Sequence, residues 1–367
     1  MPDKNPPPPL EFQVYDPERQ ELRVVVIHPP KRRYWVHILL FVVTIFTTLC
    51  VGAKLQYNFD HNLGAFAGDD GFWPWTWILQ DWRRLWMGIP FSACLLGILT
   101  AHEFGHYIYC VRRGVYATLP FFIPAPTLVG TMGAFIRIRS PIRTRADLFD
   151  IGIAGPIAGF VVAVPVLFFS LMTAKPLSCV AANDGLMLGL PFVFKIAHWI
   201  MAASGNAVAA QFSLSTLYLP PTAIAAWFGM FATALNLIPG GQLDGGHIVF
   251  ALRPRLHRPV SFVCIAALMV MSWKLWIGWL LWAVILRMTG ERHPDVPHYP
   301  EPGKKRWVLG IAALAMLAVT FVAEPFPVKN PSDASTLQNV LEQFRKKRMN
   351  PTEDQTAAPT PSPCPSQ

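Results

Sequence analysis

Between residues 34 and 323 the chain is dominated by long apolar runs separated by short polar or proline-broken stretches. Runs at about 34–53, 87–111, 148–172 and 221–236 are long enough, at ~1.5 Å per helical residue, to span or nearly span the ~30 Å hydrocarbon core of a bilayer. Two shorter runs at about 259–272 and 275–288 flank Lys274 and read as two spans or one broken span, and a last run covers about 307–323. The pattern predicts an all-α polytopic membrane protein with about seven transmembrane helices. Between spans two and three, residues 119–142 are broken by proline and glycine and suit no spanning helix. Within them, 130–139 (GTMGAFIRIR) carries paired glycines and then an alternating stretch, which predicts a short β-hairpin. Backbone of this kind sits at membrane depth only when buried in protein or lining a wet cavity, so a membrane-embedded hairpin is expected there.

The polar segments complete the organisation. Residues 1–33 form a proline-rich cytoplasmic N-terminal arm with room for a short strand, and no secretory signal peptide is expected. Residues 34–84 hold the first span and an extracytoplasmic loop rich in tryptophan; Trp73, Trp75, Trp77, Trp82 and, just beyond it, Trp86 suit a membrane interface. Residues 85–295 form the core, 296–323 the last span, and 324–367 a polar, partly disordered tail. Within that tail Leu337, Val340, Leu341 and Phe344 mark a short amphipathic helix. Residues 186–201 read as an amphipathic or re-entrant stretch. Arg137, Arg139, Arg143 and Arg145, and then Arg253, Arg255 and Arg258, favour cytoplasmic loops before span three and after span four. The N-terminus is then inside and the tail outside, against which the basic cluster at 345–348 argues mildly.

Composition narrows the class. Apolar residues make up 53% of the 367, and charged residues 14%, against roughly a quarter charged in soluble domains. A soluble enzyme, a disulfide scaffold and a disordered chain are excluded. The formal charge of +9 comes from basic residues beside apolar runs, which fits topology and anionic-lipid contact rather than nucleic acid. The six cysteines include no C-x-x-C pair, so no cysteine metal site is indicated.

Two segments carry chemistry. Residues 102–106 read His-Glu-Phe-Gly-His within the second apolar run. Positions i and i+4 of a helix differ by about 40° of rotation, so His102 and His106 face one way and can share a Zn²⁺ ion. Glu103 lies about 100° around the helix, beside the metal and off the ligand face, where it can take a proton from the attacking water. Ionisable groups near hydrocarbon are costly unless compensated, and a bound cation compensates them. A catalytic zinc commonly takes three protein ligands. Residues 236–247 (NLIPGGQLDGGH) end another apolar run and contain its one carboxylate, Asp244, the proposed third ligand. His247 is an alternative ligand or a neighbour of the site.

Together, His102-Glu103-Phe104-Gly105-His106 and the distant Asn236-x-x-Pro239 and Leu243-Asp244-Gly245 resemble the site-2 protease family of intramembrane zinc metalloproteases. Gly130-x-x-Gly133-Ala134-Phe135 and the Gly155-Pro156 helix add to the resemblance, which covers about residues 85–295. It implies one Zn²⁺ per chain on His102, His106 and Asp244, Glu103 as general base, and Asn236 as a catalytic residue that positions substrate or steadies the oxyanion. It also implies a membrane-spanning protein substrate, cut in or near its transmembrane segment, in a lipid bilayer. About 45 residues separate spans three and four, too few for a PDZ domain, and the tail is too short for a CBS pair, which matches the compact branch. The expected setting is a bacterial inner membrane with the active site towards the cytoplasm. A Gly240-Gly241 pair departs from the family's loop and leaves its rigidity open. The competing readings are a metal-ion transporter, which has no need of Glu103, and a non-catalytic zinc-binding chaperone or adaptor, which His247 would favour as a fourth ligand.

Overall fold

The computed structural model describes residues 10–16, 21–27, 34–67, 74–176, 187–289 and 301–327, with single positions at 296, 336 and 338–339. Leu337, Val340, Leu341 and Phe344, which mark the expected amphipathic helix, lie outside these residues, as does Trp73. An antiparallel pair, β1 (Leu10–Asp16) and β2 (Glu21–Ile27), occupies the N-terminal arm. Helix α1 (Tyr34–Asp60) follows, then α2 (Trp75–Gln80) and a 3₁₀ turn at Trp82–Gly88 that runs into α3 (Ile89–Arg112). Strands β3 (Phe121–Pro124) and β4 (Thr131–Phe135) lead to α4 (Arg145–Met172). A short pair, β5 (Lys175–Pro176) and β6 (Leu217–Tyr218), brackets α5 (Phe192–Ala203) and α6 (Ala207–Gln211). The chain continues through α7 (Pro221–Asn236), α8 (Asp244–Leu252), α9 (Pro254–Lys274), α10 (Gly278–Thr289) and α11 (Lys304–Thr320).

Among the described residues four helices are long and apolar enough to cross a membrane: Tyr34–Asp60, Trp82–Arg112, Arg145–Met172 and Pro254–Lys274. Helix α7 has 16 residues, most of them buried by protein. Its length therefore answers to its neighbours rather than to lipid. The broken apolar run around Lys274 becomes two helices, α9 ending at Lys274 and α10 starting at Gly278.

The hairpin between α3 and α4 is wider than its sequence indicates. The 130–139 stretch supplies one strand only; β4 pairs antiparallel with β3 through Phe121↔Phe135, Phe122↔Ala134 and Pro124↔Thr131. Thr hydroxyls rather than a two-residue turn close it. Thr127 Oγ1 donates to the Thr131 carbonyl at 2.9 Å, and Thr131 Oγ1 donates to that of Ile123 at 2.8 Å.

Helices α3, α4 and α7 pack on one another, α8 packs on α4, and α11 touches α4, α7 and α8. Start signals in the sequence place these ends. Pro90 opens α3 and Pro221 opens α7, where a missing N–H is harmless. Thr144 caps α4 reciprocally: its hydroxyl accepts the Asp147 N–H at 3.0 Å and donates to the Asp147 carboxylate at 2.7 Å. Buried Trp227, Trp279, Phe194, Leu167 and Ile98 form the largest apolar cluster.

At one end of this core Asp150 of α4 is a charged hub. Its carboxylate takes both Arg306 Nε and Nη2 of α11, each at 2.8 Å, and also Arg113, the C-cap of α3. Bidentate guanidinium–carboxylate pairs are strong and geometrically selective. The Asp150 side chain is 11% exposed, while Arg113 is 38% exposed and partly solvated. Asp150→Ala should therefore cost about 2–3 kcal/mol, below the 3–5 kcal/mol typical of one fully buried partner lost. Thermal unfolding in detergent should show a lower midpoint, and an unchanged midpoint would deny the hub its role.

Candidate metal centre

Helical spacing and glycine placement build the site. Residues His102, Glu103 and His106 are all buried on α3. Facing them, α4 offers Gly155 and Gly159. A Cβ at Gly155 would overlap the His106 imidazole, and one at Gly159 would crowd the ring of His102. These two glycines thus seat two imidazoles between the helices. His106 Nδ1–H donates to the Ile151 carbonyl at 2.7 Å, which leaves Nε2 with a lone pair for a metal.

From 138 and 142 residues away, Asp244 at the start of α8 brings Oδ2 to 3.1 Å from His106 Nε2 and 3.2 Å from His102 Nε2. Among the described residues, these three side chains form the group whose donor atoms lie within 4.8 Å of one another. A four-coordinate Zn²⁺ with bonds of ~2.0–2.1 Å separates its donors by about 3.3 Å, so the two imidazoles and the carboxylate oxygen fit that ion in type and spacing. Asn236, the last residue of α7, places Nδ2 at 3.3 Å from His102 Nε2. The Ile136 backbone N–H, just past β4, lies beside the Glu103 carboxylate. A cavity of about 210 Å³ opens here, lined by Glu103, His106, Asn236, Gln242, Asp244 and His247 among others. His247 thus faces the same space but stands outside the cluster of donor atoms.

The sequence leaves the loop between α7 and α8 without a visible support, and the structure supplies one. His257 of α9, to which the sequence assigns no role, donates from Nε2 to the Gly241 carbonyl at 2.9 Å. Ser261, one turn on, accepts the Gly241 N–H at 3.1 Å. Both backbone groups of a residue with φ +57° are thereby held, and Gly246 lets α8 pack its backbone against the 240–241 carbonyls. No local signal marks His257 or Ser261, whose partner lies 16 or 20 residues away on another element. The Ile151 carbonyl is equally invisible in the sequence, since any residue has one.

Fold and site together define the class: a multi-helix membrane protein whose interior holds two imidazoles and a carboxylate converging on one point beside a further carboxylate. Residues 90–276, just over half of the chain, match peptidase family M50, and the chain belongs to that family, as its motifs indicate. It is 28% identical over 315 residues to the probable zinc metalloprotease EGY1, chloroplastic, of Arabidopsis thaliana, covering 82% of this chain and 56% of that protein. It is also 28% identical over 295 residues to the probable zinc metalloprotease EGY2, chloroplastic, of Oryza sativa subsp. indica, covering 78% and 49%. The chain thus spans about half the length of the curated relatives it matches.

Proposed function

We propose that this chain is an intramembrane zinc metalloprotease that hydrolyses a peptide bond in or near the transmembrane segment of a membrane-bound protein. One observation carries the proposal: Asp244 Oδ2 lies within 3.2 Å of Nε2 of both His102 and His106 across some 140 residues of chain, beside a carboxylate that faces a cavity. The three would hold Zn²⁺, which when bound supplies a Lewis acid that polarises a carbonyl oxygen and acidifies water. Glu103 takes the proton of the attacking water and delivers it to the leaving amine. The Asn236 amide N–H donates to the oxyanion as the carbonyl carbon becomes tetrahedral, a contribution typically of about 3 kcal/mol. An unwound substrate adds as a strand to β4, just past which Ile136 lies beside Glu103.

The rival readings draw less support. A transporter has no use for Glu103 held against the cavity, and a structural zinc site would need His247 among the donors. Helices α7, α10 and α11 would complete seven crossings with the four long ones, placing the site towards the cytoplasm as the arginine distribution favours. The bacterial inner membrane expected from the sequence draws no support from relatives named as chloroplastic.

Metal analysis of the purified chain tests the proposal. The wild type should carry close to one zinc per chain and cleave a single-span reporter in proteoliposomes, and Asp244→Ala should lose both. A zinc content that Asp244→Ala leaves unchanged would remove Asp244 from the ligand set.

A further inference from the structure

A second cavity, of about 480 Å³, is lined by residues that come just before those of the catalytic one on three elements. Its wall is almost wholly apolar, with Leu95, Leu99, Phe228, Ala232, Trp276 and Phe326 among its residues. Three elements run from this cavity into the catalytic one. On α3, Leu95 and Leu99 border the apolar cavity, and Glu103 and His106 the catalytic one. On α7, Ala232 and Leu235 precede Asn236. Along β4 and beyond it, residues 131–133 border the first space and residues 134–136 the second. The two spaces are therefore successive stations on one track. Among the described residues β4 pairs with β3 alone. Beside the cavity, Gly133 (φ +99°) has open space where a side chain would stand, so another backbone can approach closely there.

From these observations we propose that the apolar cavity is a side-chain pocket for a bulky apolar residue, of Leu or Phe size, in an extended peptide laid along β4. This rests on the protease reading given above. The distance to the cut follows from the geometry. Leu99 and Glu103 are four residues apart on α3, about 6 Å of helix rise, which an extended chain covers in about two residues. The pocketed side chain thus falls within three residues of the scissile bond. The cavity's size and apolar lining match those of pockets that take apolar ligand groups.

The experiment uses the full chain in proteoliposomes with a set of single-span reporters. The cut is mapped by mass spectrometry, and Ala, Leu, Phe or Trp is placed at each position within three residues of it. At one of these positions wild type should prefer Leu or Phe over Ala by at least ~10-fold in kcat/KM, the range a methylene-sized difference commands in an apolar pocket. Ala232→Trp, which narrows the cavity, should reverse the order in favour of Ala with zinc content unchanged. Leu99→Ala, which enlarges it, should shift the preference towards Trp and decides the matter if Ala232→Trp cleaves no reporter. A wild-type enzyme that cuts every reporter equally, or variants that keep its preference, would overturn the pocket and point to a lipid tail as the cavity's occupant. Failure of wild type to cut any reporter would instead strike at the protease reading itself.

Discussion

Glu103→Gln should lower cleavage of a membrane-tethered reporter by ~10²–10⁴-fold, the usual contribution of a positioned general base, while the purified protein keeps its zinc. The side chain is buried at 6% exposure on the catalytic cavity. Glutamine matches its shape and can still turn its amide oxygen to the Ile136 N–H, so the fold and the donor set have no reason to change. What glutamine cannot do is hold a proton between water and the leaving amine. Because neither His102 nor His106 is altered, metal content and activity should part company in this variant. They should fall together in Asp244→Ala. A Glu103→Gln protein that cleaves within tenfold of wild type would end the assignment of Glu103 as base.

A methyl group should do comparable damage at Gly155. The Cβ of Gly155→Ala would occupy the space of the His106 ring, and that ring cannot swing aside without giving up the Ile151 carbonyl on Nδ1. Overpacking of this kind typically costs about 1–3 kcal/mol, and here the strain falls on a proposed metal donor. Zinc should be lost on dialysis against a chelator concentration that wild type withstands, with cleavage at least ~100-fold down. Gly97→Ala on α3 is the control: nothing lies within 4 Å of its would-be Cβ, and alanine is the better helix former by ~1 kcal/mol. It should retain zinc and unfold no earlier than wild type. Full zinc retention by Gly155→Ala would show that the α3–α4 contact does not seat the ring.

The site was legible where its chemistry is local. His102 and His106 share a helical face by spacing alone. Asp244 stands out because a carboxylate is rare beside an apolar run, and Gly155-x-x-x-Gly159 declares a close helix contact without saying what rests on it. What the sequence hides is pairing at a distance. Asp150 and Arg306 are 156 residues apart, and each reads alone as an ordinary charged residue near a helix end. His257 looks like any histidine until α9 brings it to Gly241. The hairpin shows the same limit: alternation in 130–139 reveals one strand, whereas its partner at Phe121–Pro124 lacks a pattern because prolines and phenylalanines mask it. Span counting is indirect for a further reason. Hydropathy measures contact with lipid, and α7 is covered mostly by protein.

The hold of Arg306 on Asp150 bears on how the protein is made. Every residue of the candidate metal centre, from His102 to Asp244, is added well before position 306. Until then, among the described residues, Arg113 is the cation that pairs with the carboxylate on α4, and the bidentate partner of Asp150 is missing. The bidentate half of this hub is therefore the last part of the helix packing to form, and a stalled product ending before residue 304 should unfold at a lower temperature than the full chain.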